Sequence, residues 1–565
     1  MLEKFEDNHF KWFFLVLLIL TVGLITYLRV RIQMDLGPEF DVYDLLANAA
    51  LFAGKGIGFS DLLRPPFLSF LTSIYFVFDG LNIGAIFAVD GILYFVGCIG
   101  LYLFLKERFT PLISFVGSLL FATFPIVITY VGVGYNDVSS VAVGIWAIYL
   151  TYLGVKRNSK FFYIAFPVAM LAFLTRYNMA LLIFPMFFYI LINRREIRNP
   201  KDVIVGILLG FLVLVPVLLF FSAKLGNPIY PFLDFFGTSE GSGTTEHFAY
   251  NLDPLYFVKY LPYYLGTASL LIIFSTVLAL LFLLYQKIRK AEIYTWNNIL
   301  KKGTKIRGTK TKLLLILVLS VFLIVTFGKL HYMLSEVVFF ALLFLIYDVS
   351  SQFGSDSKMD LLYCKMDILF LSWFAAFFIF QSVYVTKDHR YFIAMAAPVA
   401  YFLARGLSFS TETFQLKFKK KNLTLYIFSL ILVLLMISST FSQLSAIETV
   451  NTNNKVFTEN VSDACSWLMN YDHDYKSKVI YADLWSCFAW YLQTDVGKMP
   501  IFRNNQTLYQ GVKDYNFTAE DKMAFDNELN KTNPDYYFCI YKDMSFTNYE
   551  AIQRFGSVTI YKRVR

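Results

Sequence analysis

Apolar runs dominate the chain, and their lengths match a membrane rather than a soluble core. Thirteen of them carry few charges: residues 12–30, 82–105, 110–131, 138–155, 161–175, 177–193, 202–222, 263–286, 313–329, 332–348, 367–385, 391–408 and 423–442. A helix needs about 17–25 apolar residues to cross a ~30 Å hydrocarbon core. The pattern therefore predicts an α-helical polytopic membrane protein with about 13 transmembrane helices. The pairs 161–175/177–193 and 313–329/332–348 are joined by very short connectors. A further apolar helix, from Arg64-Pro65-Pro66 to about Phe78, is short for a span, and counting it would invert every later loop; it reads as re-entrant or interfacial. Beyond residue 443 the pattern changes to mixed composition with strand-like runs at Val479-Ile480-Tyr481 and Tyr536 to Tyr541. This predicts a transmembrane domain over 1–443 followed by a small soluble α/β domain over 444–565.

Charge sets the orientation. Lys106 and Arg108, then Lys156, Arg157 and Lys160, then Arg194, Arg195, Arg198 and Lys201, the segment Lys287 to Lys312, and Lys417 with Lys419, Lys420 and Lys421 all fall in one set of alternate loops. Basic loops stay on the cytoplasmic side. The expectation is a multi-pass protein of the cell membrane with a cytoplasmic N-terminus and an extracytoplasmic tail. The same clustering accounts for the net charge of +9 and removes the case for a nucleic-acid partner. With 57% hydrophobic and 16% charged residues, the chain lies well outside the usual soluble composition. Five cysteines are too few for a disulfide scaffold; Cys465, Cys487 and Cys539 leave room for one bridge in the tail.

Two outer loops between the spans, 31–81 and 223–262, are long or polar enough to hold chemistry. The first places Asp35, Glu39, Asp41 and Asp44 just beyond the first span, then an apolar helix closed by Gly54-Lys55-Gly56, then Arg64-Pro65-Pro66. A glycine-stopped helix and a Pro-Pro helix start explain this pattern without any function. Asp137 reads equally as the cap of a helix beginning at Val138, Arg176 as a snorkelling side chain, Lys387 as a membrane-surface charge and His331 as a polar anchor. Gly54-Lys55-Gly56-Ile57-Gly58 lacks the spacing of a phosphate loop, and the sequence has no HExxH or Cys/His metal cluster.

The residues Tyr43, Ala47, Gly54 and Arg64-Pro65-Pro66, at their spacing, resemble the opening signature of the GT-C superfamily of glycosyltransferases. The likeness is greatest to the branch of family 39 protein mannosyltransferases and the lipid A aminoarabinose transferase. It continues in order through Gly134-Tyr135-Asn136-Asp137, Leu174-Thr175-Arg176, and His389-Arg390-Tyr391 with Pro398, covering about residues 30–410 and leaving the tail aside. The resemblance implies inverting transfer of a sugar from a polyprenyl-phosphate donor in the membrane lipid to a hydroxyl of a glycan, lipid or protein acceptor on the extracytoplasmic face. Such transfer needs a base for the acceptor proton and cations for the phosphate leaving group, and guanidinium binds phosphate oxygens in a fork. The resemblance assigns Arg64, Arg176 and Arg390 to the donor phosphate. It favours Asp41 as the base (an Asp-x-Tyr spacing) over Glu39 (four residues before Tyr43), with Asp35 and Asp44 also open and Asp137 as a second acid. Tyr43, Tyr135, Asn136, His389 and Tyr391 fall on the acceptor side, as does the loop through Gly226-Asn227-Pro228-Ile229-Tyr230-Pro231 and Gly237 to Thr245. The resemblance names no certain cofactor, and a divalent cation held by Asp41 and Asp137 is left open. The competing reading is a transporter or flippase of a lipid-linked sugar; transporters bury ionisable groups at the bilayer midplane, whereas here the acids and bases gather at one surface.

Overall fold

The structure, a computed structural model, describes residues 2–238, 251–289, 309–352, 358–384, 387–418, 421–499, 501–503, 506–508, 518–541 and 544–564. Most of the Gly237 to Thr245 stretch and of the Lys287 to Lys312 loop, together with Lys419 and Lys420, lies outside these residues.

The helices, in chain order, are α1 (Leu2–Leu36), α2 (Phe40–Phe52), α3 (Phe67–Asp79), α4 (Gly84–Leu105), α5 (Pro111–Thr123), α6 (Pro125–Tyr130), α7 (Asn136–Lys156), α8 (Phe162–Thr175), α9 (Ile183–Ile192), α10 (Lys201–Leu225) and α11 (Tyr230–Thr238). They continue with α12 (Tyr256–Lys259), α13 (Leu261–Arg289), α14 (Thr309–Thr326), α15 (Tyr332–Gln352), α16 (Lys358–Val383), α17 (Ile393–Thr413), α18 (Leu423–Val450), α19 (Thr452–Tyr471), α20 (Trp485–Leu492) and α21 (Ala519–Thr532). Among the described residues, nine helices are long and apolar enough to cross a membrane. The other four predicted spans are shorter helices: Pro111–Thr123, Ser159–Thr175, Tyr177–Ile192 and Thr311–Thr326. The sequence count of thirteen thus rests on elements of two kinds.

The short ones have local causes. Phe124 is held at φ −55°, ψ 129° ahead of Pro125, as a residue before proline must be, so the run 110–131 divides into α5 and α6. Arg176 is extended, at φ −153°, ψ 124°, and turns α8 into a 3₁₀ segment, Tyr177–Leu182, that leads into α9. The Arg64-Pro65-Pro66 helix is α3, 13 residues long.

The last span runs through Val450, so the expected division at 443/444 falls within it. The chain turns at Asn451 into α19. The tail folds around a sheet of five strands: β1 (Ile480–Ala482), β2 (Gly497–Lys498), β3 (Tyr536–Cys539), β4 (Tyr549–Phe555) and β5 (Val558–Arg563), in the order β2-β1-β3-β5-β4. β1 runs parallel to β2 and β3, and β5 is antiparallel to β3 and β4. Its core of Val461, Cys465, Phe488, Phe538 and Ile560 is continuous with Val42, Leu46 and Ala50 of α2. Phe40 meets Trp485 edge to face at 5.0 Å. Gly58, at φ +89°, brings its loop so close to Thr494 and Asp495 that an added Cβ would lie 2.8 Å from the Asp495 nitrogen. The tail is therefore packed onto the loop helices at one end of the bundle, hereafter the site end. All five cysteines are free thiols.

Candidate active site

The first turn of α2 carries Asp41, and the loop leading to α3 carries Arg64. That loop is pinned by Asn48 of α2, whose amide donates to the Asp61 carbonyl at 2.6 Å and accepts from the Asp61 N–H at 3.0 Å. Arg64 then spreads over three carboxylates: Asp41 at 3.0 Å, Asp44 at 2.8 Å and Asp61 at 3.2 Å. Arg390 reaches the other oxygen of Asp41, with Nη1 at 3.2 Å and Nη2 at 3.3 Å. It stands on a 3₁₀ turn, His389–Phe392, capped by Asp388, whose side chain accepts from the Arg390 N–H at 3.0 Å and pairs with its guanidinium at 3.2 Å. Asp41 is thus bracketed by guanidinium groups 326 positions apart in the chain (390 minus 64).

A second pair lies beside the first. Asp137, 1% exposed, is ion-paired with Arg176. The loop presenting Asp137 is held from below by two buried residues the sequence reading passed over. Asp90 of α4 accepts from the Ser139 hydroxyl and from the Gly134 N–H. Arg29 of α1 donates to the carbonyls of Ile128 and Thr129 at 3.0 and 2.9 Å, the end of α6 whose carbonyls lack helical partners. Gly134, at φ +90°, allows the loop to touch Val42 of α2, 3.0 Å from where a Cβ would stand. Aromatic rings complete the group: the Arg390 guanidinium lies 4.9 Å from the Tyr135 ring centre and that of Arg176 lies 5.0 Å from Tyr391. The Tyr135 hydroxyl donates to Glu39 at 2.6 Å.

Two cavities meet here. The first, about 340 Å³, is lined by Asp41, Asp61, Arg64, Tyr135, Asn136, Asp137, Arg176, Tyr177, Asp234, Arg390 and Tyr391, among others. The second, about 460 Å³, is lined by Glu39, Asp41, Tyr43, Tyr130, Tyr135, Asp388 and Arg390, and by the start of α19 and the tail through Asn451, Asn454, Leu484 and Cys487. Asp41, Tyr135 and Arg390 line both and form the partition between them. Glu39 lines only the second.

Of the acceptor-side residues expected from sequence, Tyr43 and Tyr135 line the second cavity, while Asn136 and Tyr391 line the first. His389 lines neither: it sits among Tyr256, Tyr260 and Tyr264, bonded to the Tyr264 hydroxyl at 2.8 Å. Lys387 is not a surface charge. It is 4% exposed, and its ammonium donates to the carbonyls of Gln381, Ser382 and Tyr384, closing the end of α16.

Burial pushes the Asp41 carboxyl up, but Arg64 and Arg390 outweigh burial and hold it below its ordinary value. Asp44 is raised, because burial prevails over its one bond to Arg64. Among the described residues no three His, Cys, Asp or Glu side chains group as cation ligands. Asp41 and Asp137 share a cavity, yet each is already neutralised by guanidinium. The donor set does not fit a divalent cation.

Asp61, Asp90, Arg29 and Asp234 were absent from the sequence expectations. Asp61 had a local signal, an acid three residues before Arg64. Asp90 and Arg29 lie inside apolar runs, where an isolated charge is itself the signal.

Residues 63–220 match the family model described as dolichyl-phosphate-mannose-protein mannosyltransferase. Among solved structures, apo ArnT from Cupriavidus metallidurans is similar with a TM-score of 0.56 at 11% identity, covering 97% of each chain. The same protein bound to undecaprenyl phosphate gives 0.52, also at 11% identity over 97% of each chain. The apo oligosaccharyltransferase of Archaeoglobus fulgidus gives 0.52 at 13% identity, covering 92% of this chain and 69% of that one. No curated protein matches the sequence. At such identities the likeness is one of fold.

Proposed function

We propose that the chain is a membrane glycosyltransferase of the GT-C type, which moves a sugar from a polyprenyl-phosphate donor to an acceptor hydroxyl with inversion. The observation that carries this reading is the position of Asp41 in the wall between two cavities, one of them lined by three guanidinium groups.

The donor phosphate enters the first cavity and is held by Arg64, Arg176 and Arg390. The acceptor hydroxyl enters the second cavity, between α2 and the tail, and reaches Asp41 from the other side. Its oxygen attacks the anomeric carbon as the bond from that carbon to phosphate breaks. The bonding pair leaves with the polyprenyl phosphate, whose charge the arginines stabilise, and the hydroxyl proton goes to Asp41. Attack opposite to the leaving group inverts the anomeric centre.

In the free protein Asp41 is a weak base, because two guanidinium groups hold its charge. An arriving phosphate competes for those cations. Once they turn to it, the part-buried carboxylate loses the interactions that keep it ionised and its proton affinity rises. The donor thereby activates the base only when there is something to attack. Glu39 lacks a face on the donor cavity, which favours Asp41. The site end faces outward, with the N-terminus cytoplasmic, and the tail closes the acceptor side.

The test uses the purified full chain. Asp41→Asn should retain binding of undecaprenyl phosphate and lose sugar release from the charged lipid. Failure of the wild-type protein to bind undecaprenyl phosphate, or full turnover by Asp41→Asn, would overturn the reading.

A further inference from the structure

Every carboxylate on the donor cavity except one is engaged by an arginine. Asp41, Asp61 and Asp137 pair with Arg64, Arg390 or Arg176. Asp234, on α11, lines the same cavity and has no cation or hydrogen-bond partner among the described residues. Beside it Tyr177, 1% exposed, also lines the cavity, and its buried hydroxyl has no partner among the described residues. A buried polar group left unpaired is costly, so this hydroxyl calls for a polar ligand atom.

The two are built as one unit. The Phe232 ring of α11 meets Tyr177 edge to face at 5.1 Å and packs against Phe173 at 5.1 Å and Phe221 at 5.9 Å. Phe235 meets Tyr177 at 5.6 Å and lines the cavity next to Asp234. Tyr177 directly follows Arg176, so Asp234 is held at a set reach from a phosphate-binding guanidinium.

We propose that Asp234 and Tyr177 form the subsite that reads the donor sugar, an assignment that rests on the transferase reading above. A free carboxylate repels phosphate, so its place is beyond the phosphate, where the sugar lies. Its two oxygens accept from adjacent hydroxyls of a pyranose, the Tyr177 hydroxyl pairs with a further sugar oxygen, and Phe235 offers an apolar face to the ring carbons. The ligand class is a neutral sugar with free vicinal hydroxyls. A uronic acid is rejected, because its carboxylate would meet Asp234.

The experiment compares the affinity of full-length protein for undecaprenyl phosphate with that for its mannosyl, glucosyl, arabinosyl and glucuronosyl derivatives. Wild type should gain affinity from at least one neutral sugar and none from glucuronosyl. Asp234→Asn should lose about tenfold of that gain, the scale of a charged hydrogen bond, and Tyr177→Phe a smaller part. Both should bind bare undecaprenyl phosphate as wild type does, which also reports that they fold. A gain unchanged in Asp234→Asn, no gain from any neutral sugar, or equal binding of glucuronosyl would overturn the subsite. Loss of bare-lipid binding by wild type would instead overturn the transferase reading.

Discussion

The two ends of the helix bundle use the same chemistry for different purposes. At the far end, Asp367 of α16 gathers Arg108 and, at 2.9 Å, Arg405 of α17, and accepts from the Tyr401 hydroxyl at 2.7 Å. Glu196 gathers Lys156, at 2.5 Å, and Lys365. Those pairs tie spans to one another and to their connecting turns, Arg108 standing on the turn after α4 and Glu196 on the one after α9. At the site end the cations come from loops and turns: Arg64 before α3, Arg176 between α8 and α9, and Arg390 ahead of α17. They meet carboxylates across cavities. An ion pair is therefore not a functional mark by itself. The mark is that breaking the site-end pairs would open binding room, while breaking the far-end pairs would only separate helices.

The largest expected effects test that division directly. Asp41→Asn should abolish turnover, with a loss beyond about 10³-fold, since it removes the proposed base, and its melting temperature should fall less than that of Asp367→Asn, because Arg64 keeps Asp44 and Asp61 and Arg390 keeps Asp388. Asp367→Asn should do the reverse. It removes the carboxylate that ties Arg108 to half-exposed Arg405, at a cost of about 1–3 kcal/mol, between the surface and the buried range, while each folded molecule keeps its rate. Thermal unfolding and turnover measured on both variants check this. Turnover lost by Asp367→Asn at unchanged stability would dissolve the contrast between the ends. Arg176→Ala comes next: losing one guanidinium proposed to hold the phosphate should cost about 2–4 kcal/mol of transition-state stabilisation, seen mainly in kcat.

These tests concern residues whose legibility in the sequence was uneven. The nine long helices followed from hydropathy, because length and apolarity are what a bilayer demands. The break at Arg176 falls where the spans 161–175 and 177–193 place it, whereas the division at Pro125 was missed because the run 110–131 reads as one span. The placement of Asp41 near Arg64 is local, 23 positions apart. Its meeting with Arg390 is not, and only the motif order pointed to it. Least legible was the shared core of α2 and the tail. Val42 and Phe488 are ordinary apolar residues whose partnership is set by tertiary packing, so the sequence offered no reason to give the tail a wall of the second cavity. Lys387 shows the opposite error, a charge next to a span that reads as solvated and in fact closes a helix end.

A smaller effect should appear in the pH profiles. Because Asp41 is held below its ordinary value, the stability it contributes is present above the usual carboxylate range and is lost only as the pH falls through its depressed value. Free enzyme should therefore keep kcat/KM constant down to about pH 4, where ordinary carboxylates begin to titrate. If phosphate draws the arginines away, the acid limb of kcat, which reports the bound complex, should lie at higher pH than that of kcat/KM. Coincident limbs would mean that Asp41 keeps its guanidinium partners throughout the cycle.

The smallest change is expected at Glu39, and it sharpens the site end itself. Glu39 and Asp41 stand two residues apart and both line the second cavity, but only Asp41 also lines the first. A base must reach the acceptor proton while the donor carbon is in line, so a carboxylate on the partition has the geometry and one behind it does not. Glu39 instead accepts from Tyr135, whose ring lies under the Arg390 guanidinium. Its part is to hold Tyr135, and through it Arg390, in the wall. Glu39→Gln keeps an acceptor oxygen for the Tyr135 hydroxyl and should reduce kcat by only a few-fold, about 1 kcal/mol for one weakened hydrogen bond. Steady-state rates of Glu39→Gln beside Asp41→Asn decide the matter: a loss at Glu39 as deep as that at Asp41 would move the proton acceptor behind the partition and detach the two-cavity geometry from the chemistry.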